Sequence, residues 1–125
     1  MTHPLVSILM PLYNAELWVE ETIHSCQEQT YTNWELIIVD DGSTDASASI
    51  VEKIASSEPR ITLLQQPNAG ACVARNLAFR HCKGDYVMYL DADDLISPDK
   101  IELQVEVLSL SLIHISEPTR QAEIS

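Results

Sequence analysis

The sequence predicts an α/β fold in which a mostly parallel, Rossmann-like sheet carries helices on both faces. Three observations lead there. Strand-like and helical patterns alternate four times at βαβ spacing. The strand-like runs are almost continuously apolar, as strands covered on both faces must be. Two of them end in clustered carboxylates, which stay hydrated at the exposed carboxyl ends of strands that are otherwise buried.

Leu5-Val-Ser-Ile-Leu-Met10, closed by Pro11 and Asn14, reads as the first strand. From Ala15 to Gln29 the apolar residues Leu17, Trp18, Ile23 and Cys26 recur at roughly helical spacing among Glu16, Glu20, Glu21 and Glu28. That is an amphipathic helix with acids toward its start, where the helix dipole favours them. Trp34 to Val39 is the second strand and runs straight into Asp40-Asp-Gly-Ser-Thr-Asp45. Asp45 or Ser43 is expected to cap a helix from about Ala46 to Ser57, which Pro59 ends. Ile61 to Leu64 is the third strand, Pro67 to Gly70 a turn, and Ala71 to His81 a small-residue helix that ends near Gly84. The fourth strand, beginning at Tyr86, passes into Asp91-Ala-Asp-Asp94. Ser97 as cap, Pro98 at the first helical position and Glu102 in the first turns start a further helix.

A chain of 125 residues, 46% of them hydrophobic, has the size and composition of one soluble domain. Its formal net charge of -12 argues against nucleic acid as a partner, because phosphate binding of that kind needs a basic face. A phosphorylated small molecule held through a metal ion remains open. Cys26, Cys72 and Cys82 have no metal-site spacing and read as buried or partly buried thiols in a reducing compartment. The start lacks a basic stretch followed by a long apolar core, and no run approaches the roughly 18 apolar residues of a membrane span. A cytoplasmic location is therefore expected. No G-x-G-x-x-G follows the first strand, so the dinucleotide fingerprint is absent.

Parallel strands present their carboxyl ends on one edge of the sheet, so Asp40-Asp41 and Asp91-Ala-Asp-Asp94 should line one cleft. On an extended backbone Asp91 and Asp93 point to the same side, as two ligands of one hard cation must. Either acidic cluster alone reads equally well as a solvated turn or helix cap. Two at equivalent strand ends favour a site.

Val6-Ser-Ile-Leu-Met-Pro-Leu-Tyr-Asn14, Trp34-Glu-Leu-Ile-Ile-Val-Asp-Asp-Gly-Ser-Thr-Asp45, Asn68-Ala-Gly-Ala-Cys-Val-Ala-Arg-Asn76 and Gly84-Asp-Tyr-Val-Met-Tyr-Leu-Asp-Ala-Asp-Asp94 together resemble the family 2 glycosyltransferases, inverting enzymes of GT-A fold that use nucleotide-activated sugars. The resemblance runs from about Val6 to Val107, with the four motifs in family order. It implies that Pro11, Tyr13 and Asp41 surround the nucleoside with Asp40 beside them, Tyr13 offering a ring face and Asp41 accepting from the base. It implies further that Arg75 lies near the diphosphate and that Asp91 and Asp93 form the Asp-x-Asp pair, contacting the ribose and a bridging Mg²⁺ or Mn²⁺. Asp94 is the second candidate metal ligand. Simpler roles stay open: a core aromatic for Tyr13, a brace of the Asp-Gly turn for Asp40, and a surface ion pair for Arg75. The implied donor is a nucleotide-diphosphate sugar, commonly a UDP-sugar, and the acceptor a hydroxyl on a glycan, lipid-linked sugar or protein. Many members work at the cytoplasmic face of a membrane, so peripheral association of the full-length protein is a further implication.

The family's general base comes from its acceptor-binding half, and no residue here matches it. The catalytic base is thus expected beyond this sequence, and a fragment lacking it should not turn over. A non-catalytic sugar-nucleotide-binding relative is the alternative. A calcium loop is excluded, because Ile96 stands where that loop needs glycine and Leu95 offers no side-chain oxygen. Finally, Leu110 to Arg120 resembles a conceptual translation of the transposase adapter used to prepare sequencing libraries. Residues 1–109 are accordingly expected to be an incomplete nucleotide-sugar-binding part, and 110–125 a non-native tail in place of a longer natural chain.

Overall fold

The structure, a computed structural model, describes residues 3–112 and 122–124. Strands β1 (Val6–Leu12), β2 (Trp34–Asp40), β3 (Ile61–Gln65), β4 (Tyr86–Tyr89) and β5 (Ala122–Ile124) form a parallel sheet in the order β3-β2-β1-β4-β5. Helices α1 (Val19–Gln27), α2 (Ser47–Ala55), α3 (Ala71–His81) and α4 (Lys100–Leu112) connect or follow the strands.

Strand residues alternate between two cores because successive side chains leave opposite faces of the sheet. Val6, Ile8, Met10 and Leu12 pack with Val19 and Ile23 of α1, Val51 of α2 and Ile101 of α4. Leu9, Ile37, Val39 and Val87 meet Ala74 and Ala78 of α3, whose small side chains let that helix lie close against the opposite face. Among the described residues, helices thus cover both faces as expected, three on one side and one on the other.

The helix after β1 starts at Val19, later than the hydrophobic spacing indicates. The Ala15 carbonyl accepts from both Trp18 N and Val19 N, so residues 15–18 form a lead-in turn rather than a full helical turn. Leu17 and Trp18 are consequently 76% and 49% exposed, and the inward face of α1 is Val19, Thr22, Ile23 and Cys26. β1 runs on through Pro11, paired with Val39, and Leu12, paired with Asp40. A proline near a strand end removes only one donor from the ladder. α4 begins at Lys100 rather than Pro98. Ser97 supplies its carbonyl to Lys100 N at 3.0 Å, and Gln29 Oε1 accepts from Ile101 N at 3.0 Å.

One further expectation is corrected. Cys72 is exposed on α3, whereas Cys26 is buried and its thiol is pushed up to about 12 by that burial. Within the adapter-like segment, Ala122–Ile124 pairs with β4; residues 113–121 and 125 lie outside the described part. An open sheet edge offers unpaired N–H and C=O groups to any extended segment, so such pairing needs no particular side chains.

Gly84 fixes how the turn before β4 meets β1. Its N–H donates to Ser7 Oγ at 2.8 Å, and a Cβ built there would lie 2.4 Å from that oxygen, 2.7 Å from Ser7 N and 2.8 Å from the Leu5 carbonyl. Two of those three contacts are backbone atoms, which cannot swing away. Gly84→Ala is therefore expected to cost about 3 kcal/mol through overpacking, read from the urea midpoint of unfolding.

Candidate functional site

The carboxyl ends of β1, β2 and β4 surround a hollow of ≈ 470 Å³. The end of β1 and the segment after it contribute Pro11, Tyr13, Asn14 and Trp18. Asp41 follows β2, Asn68 and Gly70 precede α3, and Asp91 and Asp93 follow β4. Both acidic clusters thus open onto one cavity, of a size that suits a small ligand. A second hollow of ≈ 460 Å³ lies between α1 and residues 95–98, and it contains none of the predicted site residues.

The acidic motif after β4 is arranged by a turn, not by continued extension. β4 ends at Tyr89, Leu90 N still bonds to the Leu9 carbonyl at 3.0 Å, and Asp94 N then closes onto the Asp91 carbonyl at 3.1 Å. Ala92 is buried in the core between the two acids, and its carbonyl accepts from Thr22 Oγ1 of α1 at 2.7 Å. With the middle residue held inward, Asp91, Asp93 and Asp94 are left exposed, each offering an oxygen within 4.8 Å of the other two. Expectation and structure agree that these carboxylates converge; the reason is the turn anchored at Ala92. Such an all-oxygen set fits a hard divalent cation, which would also relieve the repulsion among three carboxylates.

Asp41 is nearly buried, and its carboxylate gathers the loop before α3. Its Oδ1 accepts from Gln66 Nε2 at 2.8 Å and Ala69 N at 2.7 Å, and its Oδ2 from Gly70 N at 3.0 Å and Asn68 Nδ2 at 3.2 Å. The Gln66 side chain first, then the Ala69 and Gly70 amides, hold the Asp41 carboxyl below the usual carboxylate range. Gly70, at φ 103°, is where the chain reverses into α3.

The rest of the Asp-Gly-Ser-Thr-Asp motif ties down the segment that presents Tyr13. Ser43 Oγ accepts from Asn14 N at 3.0 Å, Asn14 Oδ1 from Thr44 N at 2.9 Å, Ser47 Oγ from Ala15 N at 2.8 Å, and Asp45 Oδ2 from Glu16 N at 3.2 Å. Asp45 Oδ1 also accepts from Ser47 N at 2.9 Å, next to the start of α2. Of the two expected caps, Asp45 thus serves that helix end, whereas the Ser43 hydroxyl serves the facing loop.

Of the predicted residues, Pro11, Tyr13, Asp41, Asp91 and Asp93 line the common hollow. Asp94 joins the carboxylate cluster. Arg75, on α3, reaches Asp91 Oδ1 at 3.5 Å, a half-exposed ion pair at the margin. Asp40 does not line the hollow; it is buried and accepts from Ser43 N at 3.3 Å, bracing the turn. Sequence reasoning missed Gln66 and Asn68, whose amides hold Asp41. It also missed Trp18, assigned there to the core face of a helix. The adjacency of Leu17 and Trp18 was the available signal, since two neighbouring positions cannot both lie at the centre of one helical stripe.

The fold is that of the GT-A glycosyltransferases. The structure superposes on the S. aureus TarS fragment 1–349 in complex with UDP with a TM-score of 0.78, at 28% identity over 84% of this chain and 32% of that one. It superposes on mannosyltransferase PcManGT from Pyrobaculum calidifontis, in complex with GDP-Man and Mn²⁺, with a TM-score of 0.79, at 34% identity over 87% and 33% of the two chains. The chain belongs to the family described as Glycosyl transferase family 2, whose profile matches residues 7–110. An uncharacterized glycosyltransferase of Haemophilus influenzae is 45% identical over 109 residues, 86% of this chain and 44% of the relative. The chain spans less than half the length of the curated relatives it matches. No helix among the described residues is long and apolar enough to cross a membrane.

Proposed function

We propose that residues 1–109 are the donor-binding part of an inverting hexosyltransferase. It binds a nucleotide-diphosphate sugar, in the first instance a UDP-sugar, through Mg²⁺ or Mn²⁺, and passes the sugar to a hydroxyl of a glycan, lipid-linked sugar or protein. The observation that carries this reading is the convergence of Asp91, Asp93 and Asp94 beside a hollow that also holds Asp41 and Tyr13. Support for the donor class comes from the neighbours, which carry UDP, UDP-GlcNAc and GDP-Man, one of them with Mn²⁺.

In this reading Tyr13 lays its half-exposed ring against the base. Asp41, kept ionised by its donors, accepts a base N–H in exchange for one loop contact. Asp40 braces the turn that places Asp41. Asp93 and Asp94 hold the cation, and Asp91 turns toward the ribose. A bound dication stabilises the charge that grows on the leaving nucleoside diphosphate. Arg75 exchanges its surface pair with Asp91, worth at most about 1 kcal/mol, for a bidentate hold on the diphosphate. The acceptor hydroxyl must lose its proton to a general base as it attacks. That group is assigned to the part of the protein beyond this chain, and the isolated fragment is expected not to turn over.

Titration calorimetry of the chain with UDP tests the reading. Binding is expected in Mn²⁺ and should weaken at least tenfold when the metal is chelated. Equal affinity in metal and in chelator overturns the metal-bridged site.

A further inference from the structure

Trp18 is the feature of the hollow that the reading above leaves unused. Its side chain is half-exposed, it lines the same cavity as Asp91 and Asp93, and it belongs to neither the base platform nor the metal cluster. Its position is held by the backbone. The Trp18 carbonyl accepts from Thr22 N at 3.1 Å and Thr22 Oγ1 at 3.2 Å, and the same hydroxyl bonds to the Ala92 carbonyl at the centre of the acidic turn. The Trp18 backbone is thereby linked through Thr22 to the acidic turn, and its side chain lines the hollow that Asp91 and Asp93 also line. A large apolar ring left half in water costs hydration free energy unless a ligand covers it. A ring placed next to a diphosphate site meets what the diphosphate carries.

We propose that Trp18 is a specificity-determining residue whose indole face stacks on the donor's sugar ring, burying the C–H face of a pyranose. The inference rests on the donor-site reading above. It predicts a division of labour between two aromatics: Tyr13 serves the base, and Trp18 serves the sugar. Loss of Trp18 then removes the affinity that a nucleotide sugar has beyond its nucleotide, and leaves the nucleotide itself unaffected.

The two tryptophans make the test direct. Trp34 is buried under the Arg60 guanidinium, 3.8 Å from its ring centroid, so a ligand-dependent change in emission reports Trp18. In Mn²⁺, UDP-GlcNAc or GDP-Man is expected to shift the emission of the full chain, whereas UDP or GDP alone leaves it nearly unchanged. Trp18→Ala should weaken the better nucleotide sugar about fivefold by calorimetry and leave the matching nucleotide within twofold. Trp18→Tyr should restore most of the loss, which a merely structural role would not require, and unchanged melting temperatures establish that the variants are folded. Equal losses for sugar and nucleotide, no loss for either, or a response only to an added free oligosaccharide acceptor would overturn the assignment. Binding of UDP with these results fells Trp18 alone; failure of the chain to bind any nucleotide in Mn²⁺ fells the donor site and this inference with it.

Discussion

Asp93→Asn is expected to reduce the Mn²⁺-dependent affinity for UDP by about 100-fold, equivalent to roughly 2.7 kcal/mol. The expectation follows from geometry. Asp93 belongs both to the carboxylate cluster, with oxygens within 4.8 Å, and to the wall of the hollow, whereas Asp94 belongs only to the cluster. Replacing one carboxylate oxygen with an amide nitrogen removes a ligand and a full negative charge, yet keeps the size of the side chain. The side chain is exposed and outside both cores, so stability should change by less than about 0.5 kcal/mol. Calorimetry in metal and in chelator separates the outcomes: the variant should bind in Mn²⁺ no better than the unaltered chain binds in chelator. Asp94→Asn should give a smaller loss in the same direction.

Asp41→Ala is expected to lose both stability, by about 3 kcal/mol, and nucleotide affinity. Four donors from Gln66, Asn68, Ala69 and Gly70 converge on this one carboxylate, and all would lose a charged acceptor together. Asp41→Asn should be nearly as damaging, because whichever carboxylate oxygen becomes NH₂ would then face donors. The pH dependence has a definite sign. The folded-state carboxyl lies below its ordinary value of 3.8, so between those two values the unfolded chain binds more protons. The contribution of Asp41 to stability is therefore fully present above about pH 3.8 and is lost as pH falls through the lowered value. Urea unfolding from pH 6 down to pH 3 should show this loss, and Asp41→Ala should flatten it.

These two residues also show what can be read without coordinates. The parallel sheet was legible because β1, β2 and β4 are largely buried on both faces and read as almost continuously apolar runs. That Asp41 and Asp93 share a cavity followed from strand direction alone. Less legible was the local mechanism. Asp91 and Asp93 converge through a turn pinned by buried Ala92 and the Thr22 hydroxyl, 70 residues apart in sequence, and no spacing rule carries that contact. The partners of Asp41 were hidden for the same reason, since Gln66 and Asn68 flank a proline in a segment that reads as a plain turn. Trp18 was misplaced because helical periodicity averages over a window, and the start of a helix is set by which carbonyl accepts first, here that of Ala15. Asp40, adjacent to Asp41, illustrates the limit of motif transfer. One acid of the pair faces the hollow and the other braces its turn, a distinction that only side-chain direction decides.

The most direct measurement is the position of a bound ion. Crystals of this chain grown with UDP and Mn²⁺, measured at the manganese absorption edge, should show one anomalous peak within coordination distance of Asp93, with the diphosphate on its far side and the base toward Tyr13 and Asp41. Nucleotide in the hollow with no manganese at Asp93, or manganese in the second hollow between α1 and residues 95–98 instead, would contradict the account.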